Sequence, residues 1–289
     1  MPLAVDEATV LFADDAVFVI TSPTLEGLYH KIKKLFSDLA SYLNINNLVP
    51  NSSKSKLMMF TSRPTAELLD ISFGGEVTEW VKEFKYLGLT LTNTLSFSKH
   101  INNISLNISR ITGSFINLRT FMPLQILMRL YYALVFPHLN NYIIIWGSSP
   151  QSHLSPLIVR INNLLRTILG IPRVNGRPIM SVKELYEQLC LLKLENIFKY
   201  NMYKFLRQLL DGELPEIAAT LLGDHIATHT YDMRQVRYRH PALTSEIERR
   251  AVPHQLIILF ENIPRDILEM SRTKSLTAYK RHLLSQQNN

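Results

Sequence analysis

Two short runs of β-branched, aromatic and aliphatic residues, 9–12 and 16–20, flank an adjacent pair of carboxylates, Asp14 and Asp15. Such runs predict short strands, and the pair between them predicts the tip of a tight hairpin. Ser22-Pro23-Thr24 then reads as a helix start. Leu25, Leu28, Ile32, Leu35, Phe36, Leu39 and Leu43 recur at helical spacing, with Lys31, Lys33 and Lys34 on the outer face. A helix over 24–44 is therefore expected, packing one face on a sheet. A polar connection containing Pro50 leads to strands at 56–60 and 71–73. Gly74-Gly75 is a hairpin turn into a strand at 76–80. Residues 84–91 read as one further strand, in which Gly88 permits close backbone approach.

From about Ser98 the apolar spacing becomes helical. Ile101, Ile104, Ile108, Ile111, Phe115 and Leu118 form one stripe. Leu124, Leu127, Leu130, Tyr131 and Leu134 form a second over 123–134, and a third helix is expected over 154–169, stopped by Gly170-Ile171-Pro172. Further helices are expected near 181–189, over 194–210 and over 274–284, with a loop-rich part at 211–239. The fold class is α+β: a partial antiparallel sheet with one packed helix, then an all-α remainder. No repeat of fixed period is present. The most apolar stretch, 130–146, is interrupted by Pro137, His138, Asn140 and Asn141. It is too short and too polar to span a membrane.

The chain has 289 residues, 46% of them apolar, enough for a sizeable core in two domains or in one large domain with an appendage. One cysteine, Cys190, excludes a disulfide framework and a Cys-based zinc site, and fits a reducing compartment. His225, His229 and His240 are not at zinc spacing. No secretory leader is visible, because the first charged residues are acidic. Charge is the sharper signal. Residues 1–83 carry seven basic and eleven acidic residues, a net −4. Residues 84–183 carry ten basic residues and no acidic one, and residues 184–289 carry fourteen basic and thirteen acidic. A basic block beside an acidic turn suits a polyanion held against a cation, with a basic face kept for solubility as the plainer reading. Two adjacent carboxylates repel, which a divalent cation offsets; Asp is also a common turn residue.

Several motifs then fall in order. Phe12-Ala13-Asp14-Asp15 is followed by Asn51-Ser52-Ser53-Lys54-Ser55-Lys56 with Phe60, and by Phe84-Lys85-Tyr86-Leu87-Gly88. Leu95-Ser96-Phe97 with His100-Ile101 comes next, then Tyr131-Tyr132-Ala133-Leu134 with Pro137-His138-Leu139 and Trp146-Gly147. His229-Thr230-Tyr231-Asp232-Met233-Arg234, Leu259-Phe260-Glu261-Asn262-Ile263-Pro264 and Thr273-Lys274-Ser275-Leu276 close the series. In this order and spacing they resemble the C-terminal half of a non-LTR (LINE-type, jockey-like) retrotransposon reverse transcriptase: the palm Asp-Asp motif, the primer-grip hairpin, the thumb and a helical C-terminal domain. That resemblance implies a partial palm over 1–92, a thumb-like region over 93–178 and a C-terminal helical domain over 179–289. Phe97 stands where the family more often has Trp. The family's upstream metal-binding Asp, its nucleotide-holding segment and its fingers are not found in residues 1–11, nor is the endonuclease domain of many relatives.

The resemblance implies RNA-directed DNA polymerisation, an in-line phosphoryl transfer assisted by two metal ions, Mg²⁺ or Mn²⁺. Asp14 and Asp15 take the place of metal-binding catalytic carboxylates, Asp15 more loosely. Lys54 takes the place of the lysine near the leaving pyrophosphate, where an ammonium stabilises charge or gives a proton; a solvated strand-entry lysine is the alternative. Phe84, Tyr86, Leu87 and Gly88 take the place of the primer grip, although a plain core strand accounts for Phe84 and Leu87 as well. Lys85, Lys99, Arg110, Arg119 and Arg129 would meet backbone phosphates of an RNA–DNA hybrid, contacts that position a duplex without reading sequence. The partners implied are an RNA template, the hybrid and, in the full-length family, dNTP, in an intracellular ribonucleoprotein in nucleus or cytoplasm. Without the upstream Asp the chain is expected to be inactive alone, as a truncated mobile-element copy or one exon of a longer gene. Two other readings stay open: a non-catalytic nucleic-acid-binding relic, and an unrelated metal hydrolase built on Asp14 and Asp15.

Overall fold

The computed structural model describes residues 9–51, 53–61, 68–174, 177–215 and 245–287. The chain divides into two compact units, one of residues 1–85 with 92–95, the other of residues 86–91 with 96–289.

In the first unit, β1 (Thr9–Phe12) and β2 (Asp15–Phe18) pair antiparallel, with Phe12 opposite Asp15. Helix α1 (Leu25–Ile45) follows, and its N-cap Thr24 accepts the Gly27 N–H at 3.2 Å. The strands β3 (Lys56–Leu57), β4 (Ile71–Phe73) and β5 (Glu76–Trp80) form one sheet in the order β3-β5-β4, with β3 parallel and β4 antiparallel to β5. The expected helix face is the one that packs: Tyr29 and Ile32 are buried with Ile71, beside Leu25, Leu28, Phe36, Leu57 and Trp80. Tyr29 adds a polar tie. Its hydroxyl accepts the Leu69 N–H at 2.8 Å, the Trp80 indole donates to the Leu69 carbonyl at 3.0 Å, and the two rings meet edge to face. Where the pattern at 84–91 predicted one strand, the chain instead makes a hairpin of β6 (Glu83–Tyr86) and β7 (Leu89–Thr92), turning at Leu87-Gly88. The division between the two units runs through this hairpin.

The second unit is mainly helical, but not all-α as expected: a two-stranded antiparallel pair, β8 (Arg173–Val174) with β9 (Arg177–Pro178), follows α6 (Gln151–Leu169). The stripe on α2 (Ser98–Leu118) packs on α6 (Gln151–Leu169): Ile101, Ile104, Ile108 and Phe115 share one core with Leu157, Ile161, Leu164, Leu165 and Ile168. The expected helix over 123–134 is interrupted. It is α-helical as α3 (Leu124–Leu130), widens to a π-helical turn over Tyr131–Val135, and resumes as α4 (Phe136–Asn140). Pro137 has no N–H to give the Ala133 carbonyl four residues back, and the Phe136 N–H reaches five back to Tyr131. The short α5 (Ile143–Trp146), not foreseen in the sequence, follows, and α6 ends at Gly170 in the left-handed conformation. A second core joins α8 (Leu194–Leu210) to α10 (Val252–Asn262) and α12 (Arg272–Gln286) through Met202, Tyr203, Leu206, Leu256, Leu259, Tyr279 and Leu283. Among the described residues, three further short helices belong to the unit: α7 (Val182–Gln188), α9 (Glu246–Arg250) and α11 (Arg265–Glu269). The loop-rich stretch and its His229-to-Arg234 motif, with His225 and His240, lie outside the described residues.

Gly147 is fixed by packing. A Cβ there would lie 2.5 Å from the Ile143 carbonyl oxygen and 2.5 Å from Phe198, whereas one on Gly113 of α2 meets nothing within 4 Å. Gly147→Ala is therefore expected to destabilise by about 1–3 kcal/mol. Gly113→Ala is expected to stabilise by up to about 1 kcal/mol through helix propensity. Thermal unfolding of the full chain, with opposite signs for the two alanines, checks this.

Tyr131 and Tyr186 are buried in the helical core, and loss of solvation pushes both hydroxyls above the ordinary tyrosine range; the Arg166 charge opposes this at Tyr186. The unfolded chain ionises these groups from about pH 10, where the folded chain keeps them protonated. Stability is then fully present below about pH 10 and is lost as the pH rises beyond it. The unfolding temperature should fall steeply above that pH, and Tyr131→Phe should lessen the fall, as followed by tyrosinate absorbance and circular dichroism.

Candidate active site and nucleic-acid interface

The β1–β2 hairpin turns on two residues, Ala13 and Asp14, while Asp15 opens β2 opposite Phe12. The carboxylate pair thus straddles turn and strand rather than forming the tip together. Ala13 has φ +53°, a left-handed backbone that residues other than glycine seldom take. Conformations of this kind collect at functional sites. Both aspartates are exposed, and so are Leu11 at 71% and Phe12 at 59%. The hairpin therefore presents two carboxylates beside an uncovered apolar strand.

Lys54 sits in a turn organised by Asn51. The Asn51 side-chain oxygen accepts from Ser53 Oγ at 2.8 Å and from the Lys54 N–H at 3.3 Å, and its carbonyl accepts the Lys54 and Ser55 N–H groups. The Lys54 side chain is exposed. Lys56 differs: its ammonium pairs with Glu79 Oε2 at 2.8 Å across the β3–β5 register. The asparagine of the motif therefore shapes the turn, the first lysine is presented to solvent, and the second belongs to the sheet.

The Leu87-Gly88 turn has φ +47° and φ +94° at its two residues. Phe84 and Lys85 precede it on β6 and are exposed, and Tyr86 is half-buried, its hydroxyl unpaired among the described residues. After the turn the chain is held on the helical unit. Leu89 enters the core, the Thr90 N–H donates to His100 Nδ1 at 3.3 Å, and the Tyr142 hydroxyl donates to the Leu87 carbonyl at 2.6 Å.

The four cations expected along the helices do not share one face. Lys99 and Arg110 are exposed on α2, eleven residues and so about 20° apart around its axis. Asn103, Leu106, Gly113 and Asn117 continue the same exposed stripe. Arg119, nine residues beyond Arg110, lies about half a turn away from it. Its guanidinium approaches Gly170, 3.8 Å from where a Cβ would stand, at the C-terminal end of α6, which carries negative partial charge. Arg129 is exposed on α3.

Two adjacent carboxylates fit part of a magnesium site, since Mg²⁺ takes one or two carboxylates and completes its shell with phosphate and water oxygens. Among the described residues no group of three or more His, Cys, Asp or Glu side chains is placed to hold a metal ion. No described helix is long and apolar enough to cross a membrane.

Comparison with known proteins bears on this arrangement. The chain is 26% identical over 175 residues to the RNA-directed DNA polymerase from mobile element jockey of Drosophila melanogaster, a match covering 58% of this chain and 19% of that protein. It is 24% identical over 164 residues to the protein of the same description from Drosophila funebris, covering 56% of this chain and 18% of the relative. The chain thus spans about a fifth of the length of these curated relatives. No protein-family model and no solved structure matches it.

Proposed function

The chain is a relative of the jockey RNA-directed DNA polymerases, of a non-LTR retrotransposon, over about 57% of its length, and on that premise we propose that it supplies part of the palm, the primer grip and the thumb of a reverse transcriptase. In this reading residues 1–92 belong to the palm, 93–178 to the thumb and 179–289 to a helical C-terminal domain. The observation that carries the reading is the hairpin tip. The two-residue turn at Ala13-Asp14 leaves both carboxylates exposed side by side, where a divalent cation could reach them.

The residues then take distinct parts. Asp14 and Asp15 would hold a divalent cation, which when bound lowers the pKa of a primer hydroxyl and offsets phosphate charge. The primer 3′-oxygen bonds to the α-phosphorus of a dNTP as the bond to pyrophosphate breaks, and the hydroxyl proton passes to solvent water. Lys54, exposed on its Asn51-built turn, can donate a proton or a hydrogen bond to the departing pyrophosphate. The Leu87-Gly88 turn meets the primer end. Lys99 and Arg110, on one stripe of α2, meet the backbone of the RNA–DNA hybrid. Asn103, Leu106, Gly113 and Asn117 leave that stripe without negative charge.

Two measurements test this. With two carboxylates at the turn and no larger ligand group among the described residues, the 289-residue chain alone is expected to extend no primer on an RNA template in Mg²⁺ or Mn²⁺. Template-dependent incorporation abolished by Asp14→Ala would overturn that expectation.

Binding is separable from activity. The chain should bind RNA–DNA hybrid without sequence preference, with a log–log salt slope of about −3 to −5. Lys99→Gln with Arg110→Gln should flatten the slope by about two units, whereas Arg119→Gln, on the other side of α2, should leave it nearly unchanged. Fluorescence titration at several salt concentrations reads the slopes, and a slope near zero would remove α2 from the nucleic-acid surface.

A further inference from the structure

Tyr142 stands at the head of α5 with φ +55° and ψ 17°, a left-handed conformation that is an outlier for a bulky side chain. Its neighbours over-determine it. Trp146 is fully buried, and its indole N–H donates to the Asn141 carbonyl at 2.9 Å. Ile143 is buried, and the Tyr142 carbonyl accepts the Ile145 N–H at 2.8 Å. With both flanks fixed, the direction of the Tyr142 Cα–Cβ bond is fixed. The phenol reaches 55 residues back along the chain to donate to the Leu87 carbonyl at 2.6 Å. Its ring also lies beside Gly88, with Cε2 3.9 Å from the position a Cβ would take.

The turn it touches is itself strained at Leu87, whose φ of +47° would suit asparagine or glycine better. A hairpin that needed only strand pairing would carry such a residue and would need no partner from another element. The bond adds little to the core. Tyr142 is 37% exposed and Leu87 is 36% exposed. What it does is hold one backbone carbonyl, at a turn left open to solvent, in one direction.

We infer that Tyr142 is a positioning residue: its hydroxyl sets the Leu87-Gly88 backbone that meets the primer terminus, with the His100–Thr90 bond as the second anchor of the same strand. This rests on the reading of that turn as the primer grip. The hydroxyl touches no reacting atom; it acts through the turn, so its loss should loosen the turn and blur the primer end while leaving hybrid affinity in place.

The test uses the full chain as wild type, Tyr142→Phe and Tyr142→Asn, the last suited to the left-handed backbone but lacking the ring. Each is mixed with an RNA template carrying a DNA primer whose 3′-terminal base is a fluorescent adenine analogue, and with a blunt hybrid of the same length. Hydrogen exchange of the peptide 84–92 is measured beside them. The expected result is a terminal-base signal in wild type that both variants reduce roughly three- to tenfold, as one lost hydrogen bond allows. The turn peptide should exchange faster, with blunt-hybrid affinity kept within about twofold. An unchanged terminal signal in both variants overturns the inference and leaves the primer-grip reading standing, whether or not the peptide exchanges faster. A wild type that binds hybrid but gives no terminal signal overturns the primer-grip reading, and the inference with it.

Discussion

The helical unit depends on the burial of Trp146. Its ring is wholly inside the core, edge-on to His100, and its one polar atom is satisfied by the Asn141 carbonyl. That single hydrogen bond fixes the corner between α4 and α5, because the carbonyl it holds belongs to the residue before the left-handed Tyr142. The residue after the tryptophan must then be glycine, since Phe198 of α8 and the Ile143 carbonyl leave no room for a Cβ. The buried indole thus sets a helix corner beside His100, which accepts from Thr90 after the turn, and beside Tyr142, which donates to Leu87 in the turn.

Among the described residues, six non-glycine residues have positive φ; three of them stand where chemistry is proposed, Ala13 beside the carboxylate pair, Leu87 in the proposed primer-grip turn and Tyr142 that holds it, while Asn47, Leu95 and Cys190 lie elsewhere. Each costs on the order of 1 kcal/mol or more and persists only where surrounding structure enforces it. For Leu87 and Tyr142 the enforcing contacts are visible: each supports the other through the 2.6 Å hydrogen bond. The basic block of residues 84–183 works differently. Its charges are divided between uses: Lys99 and Arg110 line one open stripe, Arg119 lies by the end of α6, and Arg160 donates from α6 to Ser109 of α2. Net charge over a segment therefore overstates how much of it faces a polyanion.

Regular elements were legible because periodicity reports burial. The stripes of α1 and α2, the helix over 194–210, the Gly74-Gly75 hairpin and the Gly170 stop all form as the spacing predicts. The failures have physical causes. The apolar pattern of residues 84–91 reads as one strand, whereas the resemblance implied a hairpin; the chain turns there at Leu87-Gly88, with Gly88 at φ +94° and the Leu87 carbonyl accepting from Tyr142, 55 residues away. The helix over 123–134 opens into a π-helical turn because Pro137 withholds one N–H. Lys54 and Lys56 look alike in the motif, and only pairing with Glu79 across the sheet separates them.

By itself the sequence determined the α+β class, the ordered motifs that resemble a reverse transcriptase, the Asp14-Asp15 pair and the acid-free basic block. Each is a local pattern or a composition, and such signals need no knowledge of distant contacts. Tertiary structure alone decided which of these residues work together. Asp15 joins a strand while Asp14 stays in the turn, Arg119 faces away from Arg110, and Tyr142, a residue with no motif of its own, clamps the Leu87-Gly88 turn. Those outcomes follow from helix phase, strand register and a buried indole, quantities that exist only once elements far apart in the chain have packed together.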